Sequence, residues 1–257
     1  MITKTEAIIL KGMKYRETSK ILTLYTRQFG KVSVIAKGAR SPKSKFGSAL
    51  EPMNYVLAVF YKKDSRDLHL LAQCDLMKSF RGISEEMDRL HAAMAVVELV
   101  NAVSHQEEQN EQLFMTTVQS LEEINRATKN VLHVLYCFEV RLSEILGFKP
   151  NFSTCFSCSR EIDAGSVGTK GVELHLSGGG AFCSTCEHKS LGQGRISLAA
   201  LKVLQRLQEM EDIGAATRLA LSASVRNEVA GTLRRFLQSH IDGLHKLKSE
   251  EVFAAIA

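Results

Sequence analysis

The hydrophobic pattern of this chain changes period once, and that change limits the folds open to it. Up to about residue 82, β-branched and aromatic residues recur in short runs separated by polar or glycine-containing turns, as strands do. Five runs can be drawn, at Glu6–Lys11, Ser19–Thr26, Lys31–Lys37, Pro52–Tyr61 and Asp67–Met77. Arg27-Gln28-Phe29-Gly30 joins the second to the third, with glycine where a hairpin often needs positive φ. Lys62 to Arg66 joins the fourth to the fifth. Five short strands in about 80 residues fit a closed barrel of the OB type, which often grips oligonucleotides on one face.

After Ser84 the period is 3.6. Met87–Val103 carries Leu90, Met94, Val97 and Val100 or Asn101 along one stripe, and Val131–Leu146 carries Leu135, Phe138, Leu142 and Ile145. Glu111–Asn125 is a shorter helix candidate between them, and Gly147 with Pro150 closes the helical run. Helix signals resume late. Ser197 is a candidate N-cap for a helix carrying Leu201, Leu204 and Leu207, and Ser224 for one carrying Val225, Val229, Leu233 and Leu237. The expected fold class is α+β multidomain: an N-terminal OB-fold barrel (1–82), then an all-α domain (83–150 and 196–248) with an inserted four-cysteine zinc module (151–195). A tail (249–257) ends the chain.

The inserted module holds eight of the seventeen glycines and no helical stripe. Its cysteines fall as Cys155-x2-Cys158, 24 intervening residues, and Cys183-x2-Cys186. Two residues between cysteines let one tight turn present two thiolates to one ion, and two such turns complete the tetrahedron zinc prefers. Gly178-Gly179-Gly180 offers a hairpin tip between strand candidates Val172–Leu176 and Ala181–Cys183. A redox C-x-x-C pair and an iron–sulfur cluster are the alternatives, and His175 or His188 is a possible replacement ligand. Four protein ligands leave no open coordination position, so one zinc ion here is expected to be structural. Cys74 and Cys137 lie in apolar patterns and receive no role.

Charge is distributed unevenly. Between Lys11 and Lys45 stand ten basic residues against one acid, Glu17. Residues 1–82 hold 16 Lys plus Arg and 6 Asp plus Glu, a balance of +10, while residues 83–257 hold 17 and 22, a balance of −5. A surface so one-sided repels itself unless a polyanion is its neighbour, and nucleic acid is the commonest one. A solvated basic face is the plain alternative. An anionic membrane is the weaker reading, since no basic amphipathic helix accompanies the charge. The best apolar run, Ala92–Val103, is broken by Glu98, and the first residues have no signal-peptide core, so a cytoplasmic protein is expected.

Familiar catalytic patterns are missing. The sequence contains no G-x-x-x-x-G-K-[ST], H-E-x-x-H or G-x-S-x-G, and a binding protein is favoured over an enzyme.

Ala36 to Pro52 leaves a strand and enters a loop with Lys37, Arg40, Lys43 and Lys45 about every three residues, a spacing that can follow a phosphate backbone. Phe46 either stacks on a base or anchors this loop. With TEAIILKGMKYRETSKILTLYTRQFGKVSVIAKGAR, SPKSKFGSALEP, CFEVRLSEILGFKPNFSTCFSC and GGGAFCSTC in order, nearly the whole chain resembles the RecO family of bacterial DNA recombination and repair proteins. The resemblance implies the same OB-fold, helical domain and zinc module. It also implies binding of single- and double-stranded DNA, annealing of complementary strands, and cooperation with RecR in helping RecA replace single-stranded DNA-binding protein (SSB). Contact with the acidic C-terminal tail of SSB belongs to the helical domain in that family. The expected DNA-binding residues are Arg16, Arg27, Lys31, Lys37, Arg40, Lys43 and Lys45, with Lys11, Lys14 and Lys20 behind them. The competing readings are a zinc-ribbon nucleic-acid-binding regulator or scaffold without annealing activity, and a metal-using nuclease, which the closed ligand set disfavours.

Overall fold

A computed structural model describes residues 1–62, 66–163, 165, 167, 171–189, 194–244 and 247–254. The middle of the Lys62–Arg66 connection, Lys170, and parts of the cysteine module and of the terminal stretch lie outside them. The chain divides into two compact units, Met1–Arg126 with Lys246–Ala257, and Ala127–His245.

The first unit opens with a closed five-stranded barrel made of β1 (Ile2–Tyr15), β2 (Ser19–Thr26), β3 (Gly30–Ala36), β4 (Tyr55–Tyr61) and β5 (Leu68–Lys78). The strands run in the order β1-β2-β3-β5-β4, and β4 returns to β1. Every pairing is antiparallel except β3 with β5, as an OB-fold requires. β1 is longer than the expected Glu6–Lys11 for a physical reason. Its register shifts between Ile9 and Lys11, a bulge that leaves Ala7, Ile8, Ile9 and Leu10 all buried and interrupts the alternation from which strands are read. Phe46, Ala49 and Leu50, from the loop between β3 and β4, join Leu22, Leu24, Val34, Phe60 and Leu71 in one apolar cluster inside the barrel. Phe46 is thus an anchor, 4 % exposed and closed to a base.

Two helices follow in the same unit, α1 (Met87–Val103) and α2 (Glu111–Arg126). The single stripe expected on α1 is corrected. Ala92, Ala93, Ala95, Val96 and Leu99 have no exposure, whereas Leu90 and Met94 are only half-buried, because small alanines let neighbours close on most of the helix circumference. The segment between these helices presses on the β2–β3 hairpin. At Gly30, φ is +59° and a Cβ would lie 2.1 Å from the Glu108 carbonyl oxygen, so only glycine fits. Where a tail was expected, α6 (Lys248–Ala254) forms. Its first turn is satisfied by the Glu98 carboxylate, which accepts from the Lys248 and Ser249 N–H groups and from Ser249 Oγ. The acid that breaks the apolar run of α1 is therefore a cap supplied from a distant part of the chain.

The second unit contains α3 (Leu132–Ile145), then a four-stranded sheet, then α4 (Leu198–Glu209) and α5 (Ala223–His240). The sheet is ordered β6-β8-β7-β9, with β6 at Asn151–Cys155, β7 at Val172–His175, β8 at Gly180–Phe182 and β9 at Arg195–Ile196. Ser197 caps α4 as expected by accepting from the Ala200 N–H. For α5 the cap is Ser222 rather than Ser224: its backbone is extended and its hydroxyl accepts from the Val225 N–H, while Ser224 lies inside the first turn.

Truncating the loop anchor tests this packing. Phe46→Ala is expected to lower unfolding free energy by about 3 kcal/mol, measured by denaturant titration; a loss below about 0.5 kcal/mol would mean that the loop does not plug the barrel.

Candidate nucleic-acid interface and metal centre

Barrel register sorts the basic residues into two groups. Lys14 faces Lys20 across β1–β2, and Lys20 in turn faces Ala36 across β2–β3, so the β1–β2 turn and the end of β3 meet at one end of the barrel. Arg16 sits in that turn, with φ +50° and its guanidinium 5.3 Å from the Tyr15 ring centroid. Lys37 follows β3 directly. Arg40 is tied to the same turn, since its backbone N–H donates to the Thr18 carbonyl at 2.8 Å and its guanidinium to the carbonyls of Arg16 and Glu17 at 3.2 and 3.0 Å. Lys43 is exposed on the same loop, and Lys45 donates to the Ala72 carbonyl on β5.

Among the described residues, no carboxylate lies within ion-pair range of Arg16, Lys37, Arg40, Lys43 or Lys45. Like charges directly opposite on a sheet destabilise it, and at the Lys14–Lys20 pair the offset is one exposed contact, Lys20 to Glu51 at 3.0 Å. Arg66, at the approach to β5 and outside the basic run, lines a groove together with Lys37. It was not a sequence candidate because the strand pairing that brings it beside β3 leaves no local pattern.

Arg27 and Lys31 flank the β2–β3 hairpin at the opposite end. Arg27 donates to Glu111 and Glu6, at 2.6 and 3.3 Å, and side-chain hydrogen bonding to Glu111 is the main influence holding its pKa above the ordinary value. Lys31 directs Nζ to the Asn101 carbonyl at 2.9 Å, and partial burial lowers its pKa. Glu6 also accepts from the Tyr55 hydroxyl at 2.7 Å. These two cations thus join the barrel to its own helices.

The thiol groups of Cys155, Cys158, Cys183 and Cys186 lie within 4.8 Å of one another. Cys155 ends β6, and Cys183 follows β8, which pairs with β6 at Cys155 and Ala181. Each C-x-x-C closes as a turn, with the Ser159 N–H donating to the Cys155 carbonyl and the Cys186 N–H to the Cys183 carbonyl, both at 2.9 Å. The expected hairpin tip carries its glycines for steric reasons, since a Cβ at Gly178 would lie 1.9 Å from the His175 ring. His175 stacks at a tilt on Phe156, with centroids 4.4 Å apart, and neither it nor His188 belongs to the thiol cluster. Burial opposes ionisation of Cys155, but backbone N–H groups of Cys183, Cys158 and Ser157 directed at its Sγ outweigh it and bring the thiol down to about 6. Four soft donors in one cluster, three of them buried with Cys158 at the surface and one, Cys155, biased to thiolate, can hold a metal ion.

No helix among the described residues is long and apolar enough to cross a membrane. Residues 1–80 match the family described as Recombination protein O N terminal, and residues 84–251 that described as Recombination protein O C terminal. The chain is 33 % identical over 256 residues to the DNA repair protein RecO of Salinibacter ruber, covering 99 % of this chain and 94 % of the relative. It is 32 % identical over 255 residues to that of Chloroherpeton thalassium, covering 98 % of each. A shorter match, 40 % identical over 155 residues and 60 % of each chain, is to that of Chlorobaculum parvum. With both family regions matched in order along nearly its full length, the chain belongs to the RecO family of DNA repair proteins.

Proposed function

We propose that this chain is a recombination mediator in DNA repair that binds single- and double-stranded DNA without sequence preference and anneals complementary strands. With RecR and SSB, the latter through its acidic C-terminal tail, it helps to load RecA at the nucleoid. The observation that carries this reading is the basic end of the barrel, where Arg16, Lys37, Arg40, Lys43 and Lys45 gather with no acidic partner in range among the described residues. Backbone phosphates would supply the missing countercharge, and the counterions they release supply sequence-independent affinity. Two strands held on one cationic surface repel each other less, so pairing needs neither ATP nor a catalytic group. Arg27 and Lys31, already bonded to Glu111, Glu6 and Asn101, are assigned to cohesion of the first unit.

The metal in this reading is zinc, as one structural ion. Four thiolates about 2.3 Å from a central zinc stand roughly 3.8 Å apart at the edges of a tetrahedron. The Cys158–Cys183 Sγ separation is 3.8 Å. Short strands in a glycine-rich segment gain little from their own packing, so the ion would supply much of the module's stability.

Three measurements test this. Replacing Lys37, Arg40 and Lys43 together with alanine is expected to weaken DNA binding and reduce the slope of log affinity against log salt by about 2 to 3; affinity and slope equal to the parent's would reduce the loop to a solvated face. Cys155→Ala or Cys183→Ala is expected to abolish the bound metal, found by elemental analysis as about one zinc per chain in the parent, and to lower the thermal midpoint. Unchanged metal stoichiometry in both variants would remove the zinc proposal. In pull-downs, SSB is expected to be retained and SSB lacking its acidic tail lost; equal retention of the two would count against the tail contact.

A further inference from the structure

Strand register places a row of apolar side chains on the outside of the barrel. Across successive pairings Met13 faces Ile21, Ile21 faces Ile35, Ile35 faces Leu70, Leu70 faces Tyr61 and Tyr61 faces Ile2. Directly opposed residues point to the same side of a sheet. The inner side is already taken by the intervening Leu22, Val34, Phe60 and Leu71, so this row faces out. Ile2, Met13 and Tyr61 are 64, 53 and 44 % exposed. Single exposed apolar residues are ordinary, but a contiguous belt touching all five strands marks a contact surface.

The belt runs into a groove of about 510 Å³ where β5 meets β3 over only three residue pairs. Ile35, Tyr61, Leu68 and Leu70 form its apolar walls, and Lys37 and Arg66 line it beside them. Lys37 also belongs to the basic end, so the groove continues the surface assigned above to phosphates. We propose that this groove receives unstacked bases of single-stranded DNA, with Lys37 and Arg66 holding the flanking phosphates. The inference rests on the DNA-binding reading and adds to it a means of telling single strands from duplex. A purely cationic face attracts both forms. Apolar walls with an exposed tyrosine contact only bases that pairing has not hidden, and stacking of this kind tolerates any base. Charge complementarity favours this occupant because two cations, Lys37 and Arg66, line the same groove as the apolar walls, matching the phosphate and ring of a nucleotide.

The test is an anisotropy titration of the full chain against a labelled mixed-sequence single strand, the same sequence as duplex, and an abasic strand of equal length. Tyr61→Ala is expected to weaken binding of the single strand about 5- to 20-fold and leave duplex binding unchanged, while Tyr61→Phe binds like the parent. The parent should hold the abasic strand about as weakly as Tyr61→Ala holds the ordinary one. Equal loss for single strand and duplex, no loss for either, or full affinity of the parent for the abasic strand would each overturn the base groove; the second outcome would leave the belt to a protein partner. A parent that binds neither single strand nor duplex would overturn the DNA reading itself and the groove with it. Matching thermal midpoints of parent and variant confirm that Tyr61→Ala folds.

Discussion

Barrel closure through the parallel pairing of β3 with β5 is the constraint on which the first unit depends. It spans only Ser33 to Ile35 against Leu68 to Leu70. That pairing turns an open meander into a barrel with no free edge, and it sets the register of every other strand. Because side chains alternate with period two, a slip of one residue at this seam would exchange Val34 and Leu71 inside with Ile35 and Leu70 outside. The apolar cluster inside, plugged by Phe46, Ala49 and Leu50, penalises such a slip strongly. The outward belt and the division of the cations between the two barrel ends both follow from the same register.

The two ends of the barrel illustrate opposite ways of carrying charge. At one end Arg27 sits between Glu6 and Glu111 and Lys31 against a carbonyl, so each cation has a partner within the fold. At the other end Lys14 and Lys20 stand opposite one another, and Arg40 is held by carbonyl oxygens that leave its charge uncompensated. Exposed pairs contribute little to stability, so the first arrangement is chiefly a matter of geometry, tying the β2–β3 hairpin to α2. The second keeps an excess of like charge that Lys20 to Glu51 offsets only in part, which is intelligible if further countercharge arrives from outside.

Much of the architecture was legible before any coordinates. The period-two pattern located β2 at its observed bounds and the 3.6-residue period did the same for α1, because both depend on local pattern and local turns. The cysteine spacing located the four-thiol cluster because C-x-x-C is itself a turn. What stayed hidden depends on contacts distant in sequence. The bulge near Leu10 disguised the length of β1, and Glu98 reads as a flaw in an apolar helix until α6 returns to be capped by it. Arg27 looked like its basic neighbours until Glu111, 84 residues away, was found to hold it. Arg66 and Tyr61 carry no local signal at all; only the pairing of β5 with β3 and β4 makes them neighbours of Lys37.

The placement of cations beside apolar walls bears on how one surface could both hold and pair strands. Phosphate contacts alone are long-ranged and indifferent to strand state, so they raise local concentration without favouring an unpaired strand. Base contacts are short-ranged and are lost once two bases pair. A surface with both would grip single strands through the groove while retaining the duplex only through the basic end. Strand pairing would then be accompanied by release of the groove, and the free energy of base pairing, not a nucleotide cofactor, would drive the exchange. In this chain Lys37 lies at the junction of the two contact types, where the end of β3 passes from the basic barrel end to the groove wall.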